Sequence, residues 1–548
     1  LSPQYISPVT AAQQSDPRSY LPNPAYLAAG IYPAGIARLL QNPIPPRNNR
    51  AADWDVGTHP RADQNYFQTS LRLEYETAGG VTLTSLTAYQ RFRQNDQRDI
   101  DGVDVNDQFY IIDGKVDSVF QELRAGGDLG QGGRWIVGAN YARDVTKERD
   151  DAPDTLQSGS YLTGGSPYSL LPFAPWRDYF VRNDVRARTL SAFGNLDLAL
   201  TDRLMAHAGI RYTDSRQQMA GCTGTADANL LAFFRLLLRP GARAATPGGC
   251  TTILQNGDQG LTSEQLNETN VPFQLGLDYK IEPDKLVYAS IRKGFKAGTT
   301  PAVVPTSYIQ RTPVTQESLV AYEGGFKLSL MDRQLQLNGA GFIYDYTDKQ
   351  LLGRIIDPTG VFGALQALVN IPKSRVHGAE LTATVTPREV RGLTVGAAVT
   401  WLDSKVTSNF VNYASYVASA ADTIDFKGEP YPYTPRWAVR GGVRYEWMAT
   451  DNIRANVGAN ASAQSRMNGA FGAQKASREG PSILIKPYGL LDLSAGIEAA
   501  DRRWRVDLWG RNVTNTYYWN TAFYQSDTTV RYNGMPATYG VTASINFR

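Results

Sequence analysis

Towards the end of the chain apolar and polar residues alternate one by one. Tyr539, Val541, Ala543, Ile545 and Phe547 interleave with Thr538, Gly540, Thr542, Ser544 and Asn546. A strand points successive side chains to opposite faces, so this stretch predicts a strand with one apolar and one polar face. Leu491, Leu493, Ala495 and Ile497 alternate in the same way with Asp492, Ser494, Gly496 and Glu498. From Tyr66 onward the pattern hardly stops. It predicts hairpins of 66–77 with 81–96, 116–127 with 134–149, 184–200 with 203–217, and 270–281 with 285–297. Further pairs are 318–330 with 334–350, 373–386 with 392–407, 432–448 with 452–466, and 487–498 with 503–516. Residues 537–548 add a last strand, giving about seventeen.

Within each pair the turn is short, as at Ala78-Gly79-Gly80, Thr201-Asp202-Arg203 and Glu282-Pro283-Asp284. Gly, Asp and Pro supply the backbone angles that such turns need. Between pairs the connections are long: 150–183, 218–269 and 408–431. Short turns at one rim and long loops at the other are the asymmetry of an outer-membrane barrel. The expected fold class is therefore all-β, an antiparallel transmembrane β-barrel with short periplasmic turns and long extracellular loops. Residues 1–65 keep no period and are expected to be loop, with a short helix within Asn23–Leu40. Residues 66–548 form the barrel portion. Bacterial barrels have even strand numbers with both ends periplasmic, so an odd count that starts from an outer loop implies strands upstream. The opening Leu1-Ser-Pro-Gln has neither a basic region nor an apolar core, which is read as a processed form or a missing beginning.

Composition agrees with this picture. A soluble chain of 548 residues would divide into domains, yet no composition break or linker separates any. The 30 Tyr, 9 Trp and 50 Gly suit aromatic rims and tight turns. A net charge of +3 does not favour nucleic acid as a partner. No apolar run reaches the length of a transmembrane helix, which leaves a barrel open.

Candidate chemistry is sparse. No H-E-x-x-H, C-x-x-C, Walker or G-x-S-x-G pattern occurs, so an enzyme is not expected. His207 is in phase with Met205, Gly209 and Arg211, which would face a hydrated lumen. Cys222 and Cys250 share one polar loop and are expected to form a disulfide, two free thiols being the alternative. The acidic stretch from Asp99 to Asp107 offers Asp101, Asp104 and Asp107 as oxygen ligands for calcium. The alternative is a solvated acidic loop without a cofactor. The loops also carry Trp176, Tyr179, Arg182, Tyr308, Arg311, Tyr413, Tyr416, Tyr524, Arg531 and Tyr532. Such rings bury large flat ligands, and Arg pairs with carboxylate or catecholate oxygens. The competing reading is an interfacial girdle or loop-on-loop packing.

Several stretches resemble TonB-dependent outer-membrane receptors. Val287-Tyr-Ala-Ser-Ile-Arg-Lys-Gly-Phe-Lys-Ala-Gly298 is similar to a strand of that family, and Tyr322–Tyr346 to its next hairpin. Asn370–Glu380, Tyr433-Thr-Pro-Arg-Trp437, Gly510–Asn515 and the Tyr539-Gly540 ending follow in family order. The resemblance implies a barrel of about 22 strands around an N-terminal plug. Residues 1–65 would then be an extracellular loop, with five strands and the plug outside this sequence. It also implies a Gram-negative outer-membrane location, surrounded by lipid and lipopolysaccharide. The inner-membrane TonB complex would be the energy-coupling partner through the plug. The cargo expected is a scarce solute, foremost a ferric siderophore or other metal chelate. A passive porin and a barrel-anchored adhesion or assembly protein are the rival functions.

Overall fold

A computed structural model describes residues 4–8, 46–55, 57–104, 106, 108–130, 132–155, 176–301, 304–356, 364–413, 423–473, 483–525 and 528–547. The helix expected within Asn23–Leu40 lies outside the described residues. One antiparallel sheet of 19 strand segments dominates. Thr262–Asn270 and Phe273–Glu282 are two halves of one strand, and Gly249–Cys250 is a two-residue pairing in a loop. Subtracting these two extra segments leaves seventeen strands across the sheet.

In chain order they are β1 (Arg61–Glu76), β2 (Thr82–Asp99), β3 (Phe109–Asp128), β4 (Gly133–Ala152), β5 (Tyr179–Ala199) and β6 (Leu204–Thr225). Next come β7 (Thr262–Asn270 with Phe273–Glu282), β8 (Lys285–Lys296), β9 (Glu317–Leu330), β10 (Leu335–Ile356) and β11 (Ala364–Val385). The wall continues through β12 (Leu393–Val406), β13 (Trp437–Thr450), β14 (Ile453–Gln464), β15 (Tyr488–Ala499), β16 (Trp504–Arg511) and β17 (Thr538–Ile545). Each pairs with its neighbour in sequence, so the wall is one meander.

Every expected hairpin is present, and the short turns gather at one rim. Gly80 adopts φ +75, where a Cβ would be strained, and its N–H bonds to the Thr77 carbonyl at 3.0 Å. Pro283 and Asp284 alone connect β7 to β8, since proline is already fixed near the angle this turn needs. Differences lie at the other rim. Strands β6, β10 and β11 each run 22 residues, roughly twice what a tilted crossing needs. Residues 61–65, expected as loop, are already strand. The loop expected at 218–269 is partly strand, and it carries one helix, α1 (Ala228–Leu236). Asp227 caps α1 by accepting from the backbone N–H groups of Asn229 and Leu230 at 2.8 and 3.1 Å.

Alternation sets which face meets lipid. On β15, Leu493 and Ile497 are exposed, while Ser494, Gly496 and Glu498 turn inward. Val457 on β14, Leu508 on β16 and Val541 on β17 extend the apolar exterior. Inside, His207 Nδ1 lies 2.7 Å from Asp197, and Arg505 pairs with Asp507 through two hydrogen bonds. Among the described residues the wall does not close on itself: β1 pairs only with β2, and β17 only with β16. At the outer end the opening segment reaches across: Gln4–Pro8 pairs with Thr528–Asn533, and Asn49 and Arg50 donate to the carbonyls of Thr516 and Ala537.

Assignment of faces gives a direct test. Leu493→Arg puts a charge on the lipid side and should cost about 2–4 kcal/mol of unfolding free energy in vesicles. Ser494→Arg, one residue on, faces water and should cost at most about 1 kcal/mol. Urea titrations showing equal losses would reverse the assignment.

Candidate functional site

The long connections leave one end of the wall, and those expected ligand residues that are described lie there without forming a single surface. Trp176 and Tyr179 are 4% and 5% exposed. They join Ala152, Val181, Leu230, Phe233 and Phe234 in a core that packs loop on loop. The Tyr179 and Tyr110 hydroxyls share a hydrogen bond of 2.9 Å. Arg182, on β5, pairs with Asp184 two residues on.

Tyr308 opens a single 3-10 turn, Tyr308–Arg311, stabilised by a capping box between Ser307 and Gln310. Arg311 is fully buried against β6, where a Cβ on Gly221 would lie 2.5 Å from its guanidinium carbon. Its Nη1 donates to Asn183 at 2.7 Å, while burial lowers its pKa and Glu264 opposes that shift.

Tyr413 and Tyr524 lie on the short strands Val411–Tyr413 and Trp519–Gln525, with side chains outside the described residues. Tyr416 is outside them altogether. Arg531 is buried with its guanidinium 4.9 Å from the Trp519 ring centre. Cation–π attraction of this kind strengthens as water is excluded. Tyr532 stacks on Phe523, with ring centres 6.0 Å apart and planes 14° apart. Burial, then the Asp99 charge, pushes its hydroxyl up to about 12.

A cavity of about 560 Å³ lies between the outer ends of β10 and β11 and the loops that follow β12, β14 and β16. Leu351, Phe426, Tyr433, Phe471 and Phe523 give it apolar walls, with Arg354 and Gln366 among the polar groups. The Phe426 and Phe471 rings are 5.2 Å apart, and Phe410 backs both. An aromatic pocket with a few polar groups is the general form of a small-molecule site. None of its lining residues was singled out from the sequence as a ligand contact. Tyr433 stood inside a recognised motif, but Phe426 and Phe471 are isolated aromatics in loops far apart in the chain.

The acidic loop folds differently from the expected trio. Asp101 meets Asp99 and Asp55, with one carboxylate oxygen from each within 4.8 Å of the others. Asp104 is outside this group, and Asp107 lies outside the described residues. Burial raises all three: Asp55 to about 8, with Asp99 adding to the shift, Asp99 to about 6, and Asp101 well above the carboxylate range. Asp55 had no signal in the sequence, being separated from Asp99 by 44 positions.

A meander of this length, apolar outside and charged within, with tall loops at one end, is the wall of an outer-membrane β-barrel. The family description "TonB dependent receptor-like, beta-barrel" matches residues 5–513, and the chain belongs to that family. Its place is the Gram-negative outer membrane. The pesticin receptor of Yersinia pestis is 23% identical over 368 residues, which cover 66% of this chain and 44% of that protein. Among solved structures, the ferric yersiniabactin uptake receptor FyuA from Yersinia pestis aligns with a TM-score of 0.64 at 17% identity. That alignment covers 89% of this chain and 62% of the other. The siderophore receptor PiuA from Acinetobacter baumannii gives 0.62 at 15% identity, covering 88% and 64%. The chain thus spans less than two thirds of the proteins it resembles.

Cys222 and Cys250 are joined, with Cα atoms 5.6 Å apart, closing the loop that contains α1. Such a closure restricts the unfolded loop by about 3 kcal/mol. Replacing both with Ser should speed protease cleavage between residues 226 and 249 several-fold and lower the unfolding free energy by up to about 3 kcal/mol. Reducing agent should do the same to the unaltered protein. Equal cleavage rates throughout would count against a disulfide in the native molecule.

Proposed function

We propose that this chain is the barrel portion of a receptor that captures a ferric siderophore or another metal chelate at its outer mouth for energy-coupled uptake. The observation that carries the reading is the aromatic cavity between Phe426, Tyr433, Phe471 and Phe523, set in the mouth of a barrel of this family. Iron chelates present flat rings and charged oxygens, which stack on aromatic faces and pair with groups such as Arg354. Solved neighbours include receptors described as taking up ferric yersiniabactin and ferric catecholates. No covalent chemistry is required. Binding in the loops is followed by a conformational release that lowers affinity.

The edges of β1 and β17, without a strand partner among the described residues, bear on the whole receptor. In hydrocarbon each unsatisfied backbone group costs several kcal/mol. We assign their cover to further strands of the same receptor, in a barrel of about 22 strands with a plugged lumen. A plug is the natural handle for the inner-membrane TonB complex.

The test uses the whole receptor in outer membranes that lack other siderophore receptors. Uptake of radioactive iron chelates should depend on the receptor and stop when the coupling protein is removed. Phe426→Ala with Phe471→Ala should weaken chelate binding at least about tenfold, the loss of stacking and buried area at two rings. Uptake that persists without the coupling protein would establish a passive channel instead. Unchanged binding in the double variant would move the chelate away from this cavity.

A further inference from the structure

At the seam of the mouth three carboxyl groups are buried together. Asp55 lies in the opening segment, Asp99 at the end of β2 and Asp101 just beyond it, and they are 2%, 5% and 0% exposed. One carboxylate oxygen of each lies within 4.8 Å of the other two. Backbone groups orient two of them. Asp99 accepts from the N–H groups of Asp55 at 2.7 Å and Asp101 at 3.2 Å. Asp101 accepts from those of Val103, at 3.0 Å, and Gln108. Such bonds favour ionised carboxylates and leave each oxygen a further lone pair.

Asp55 is the independent sign of a ligand. Neither of its carboxylate oxygens has a hydrogen-bond partner, although both are shut off from solvent. Among the described residues no Arg or Lys forms an ion pair with any of the three, and the neighbouring Arg98 is engaged by Asp96. The charges that act on Asp55 are the carboxylates of Asp99, Asp104 and Asp53. A buried charge persists where something pairs with it.

We propose that Asp55, Asp99 and Asp101 hold a calcium ion that ties the opening segment to the outer end of β2. The donors are all hard oxygens, which select calcium or magnesium over softer metals. Calcium accepts six to eight oxygens in flexible geometry, whereas magnesium demands a near-ideal octahedron. Three carboxylates on a loop and a strand end, supplemented by carbonyls or water, suit the larger ion. The same segment donates from Asn49 and Arg50 to the last long loop and accepts through the carbonyls of Asn48 and Ala51 from Asn533. Tyr532, whose hydroxyl feels Asp99 and Asp101, stacks on Phe523 of the cavity wall. The ion therefore sits where β2, the opening segment and one wall of the cavity converge. The site goes beyond the uptake reading and needs no chelate to be detected.

Full-length protein in detergent, stripped with EDTA, is titrated with terbium under excitation of tyrosine, and calcium then displaces the lanthanide. Tyrosine-sensitised emission is expected to saturate at one equivalent per chain. Calcium should bind with a dissociation constant of about 10⁻⁴–10⁻³ M, the range of extracellular modules. Asp55→Asn should weaken calcium at least tenfold, while Asp332→Asn, in a turn at the opposite rim, should not change it. Calcium should also raise the melting temperature of the unaltered protein and not that of Asp55→Asn. In EDTA that variant should melt no lower than the unaltered protein, because the amide offers no charge for Asp99 and Asp101 to repel. An equal calcium response in the two proteins overturns the proposal. Should Asp55→Asn fail to assemble, the unaltered protein decides alone: no calcium-displaceable site up to about 10 mM rejects it.

Discussion

The wall of this molecule answers to one requirement: a backbone crossing hydrocarbon must find hydrogen-bond partners in protein, because no water is there to supply them. Neighbouring strands are the only partners in a β structure, so the chain proceeds as one uninterrupted meander from β1 to β17. The same requirement fixes the side chains. With the backbone committed to its neighbours, lipid meets one face of each strand and the lumen meets the other, and Leu493 and Ser494 divide accordingly. Above the bilayer water returns and the constraint lapses. There the chain bends into loops, a helix and short paired strands, and the aromatic cavity is found in that region.

That boundary also separates what could be read in the sequence from what could not. Inside the membrane the period of two is enforced, so the strands and turns from Tyr66 to Phe547 were legible from alternation. Beyond it, loops cover both faces of the strand ends. Phe109 and Tyr179–Val181 are buried at such ends without any alternation to mark them. Trp176 and Tyr179 look like ligand contacts in a list of loop aromatics, yet they fill a core with α1. The cavity rings, Phe426, Phe471 and Phe523, come from separate connections, and only the folded loops bring them together. Asp55 is the clearest case, since nothing local distinguishes it from Asp53.

The mouth is held by links that differ in kind from the ladder below. A disulfide closes one loop, the 3-10 turn lodges Arg311 against Gly221, and the opening segment spans the seam to the last loop. Arg311 resembles a candidate anion contact in sequence, but its Nη1 bonds to Asn183 within the fold. Removing such a group exposes the desolvation cost of whatever remains unpaired. Charged residues near a presumed ligand can therefore influence binding through loop architecture alone.

One proline shows how far this division reaches. Pro272 interrupts β7, and above it the strand stays with β6 but parts from β8, whose ladder ends at Phe273 opposite Lys293. In place of the missing ladder, the Glu268 carboxylate accepts from the backbone N–H groups of Gly298 and Gln316 at 2.8 and 2.6 Å, and Gln217 donates to the Gly298 carbonyl at 2.8 Å. A ladder is written in the backbone and survives almost any change of side chain. This joint is written in four side chains, since Asn270 donates to the Gln316 side chain, which in turn donates to the Thr269 carbonyl, beside the bonds of Glu268 and Gln217. A change at Glu268, which carries two of these bonds, can loosen the upper wall here while the backbone ladders of β7 below Pro272 stay in place.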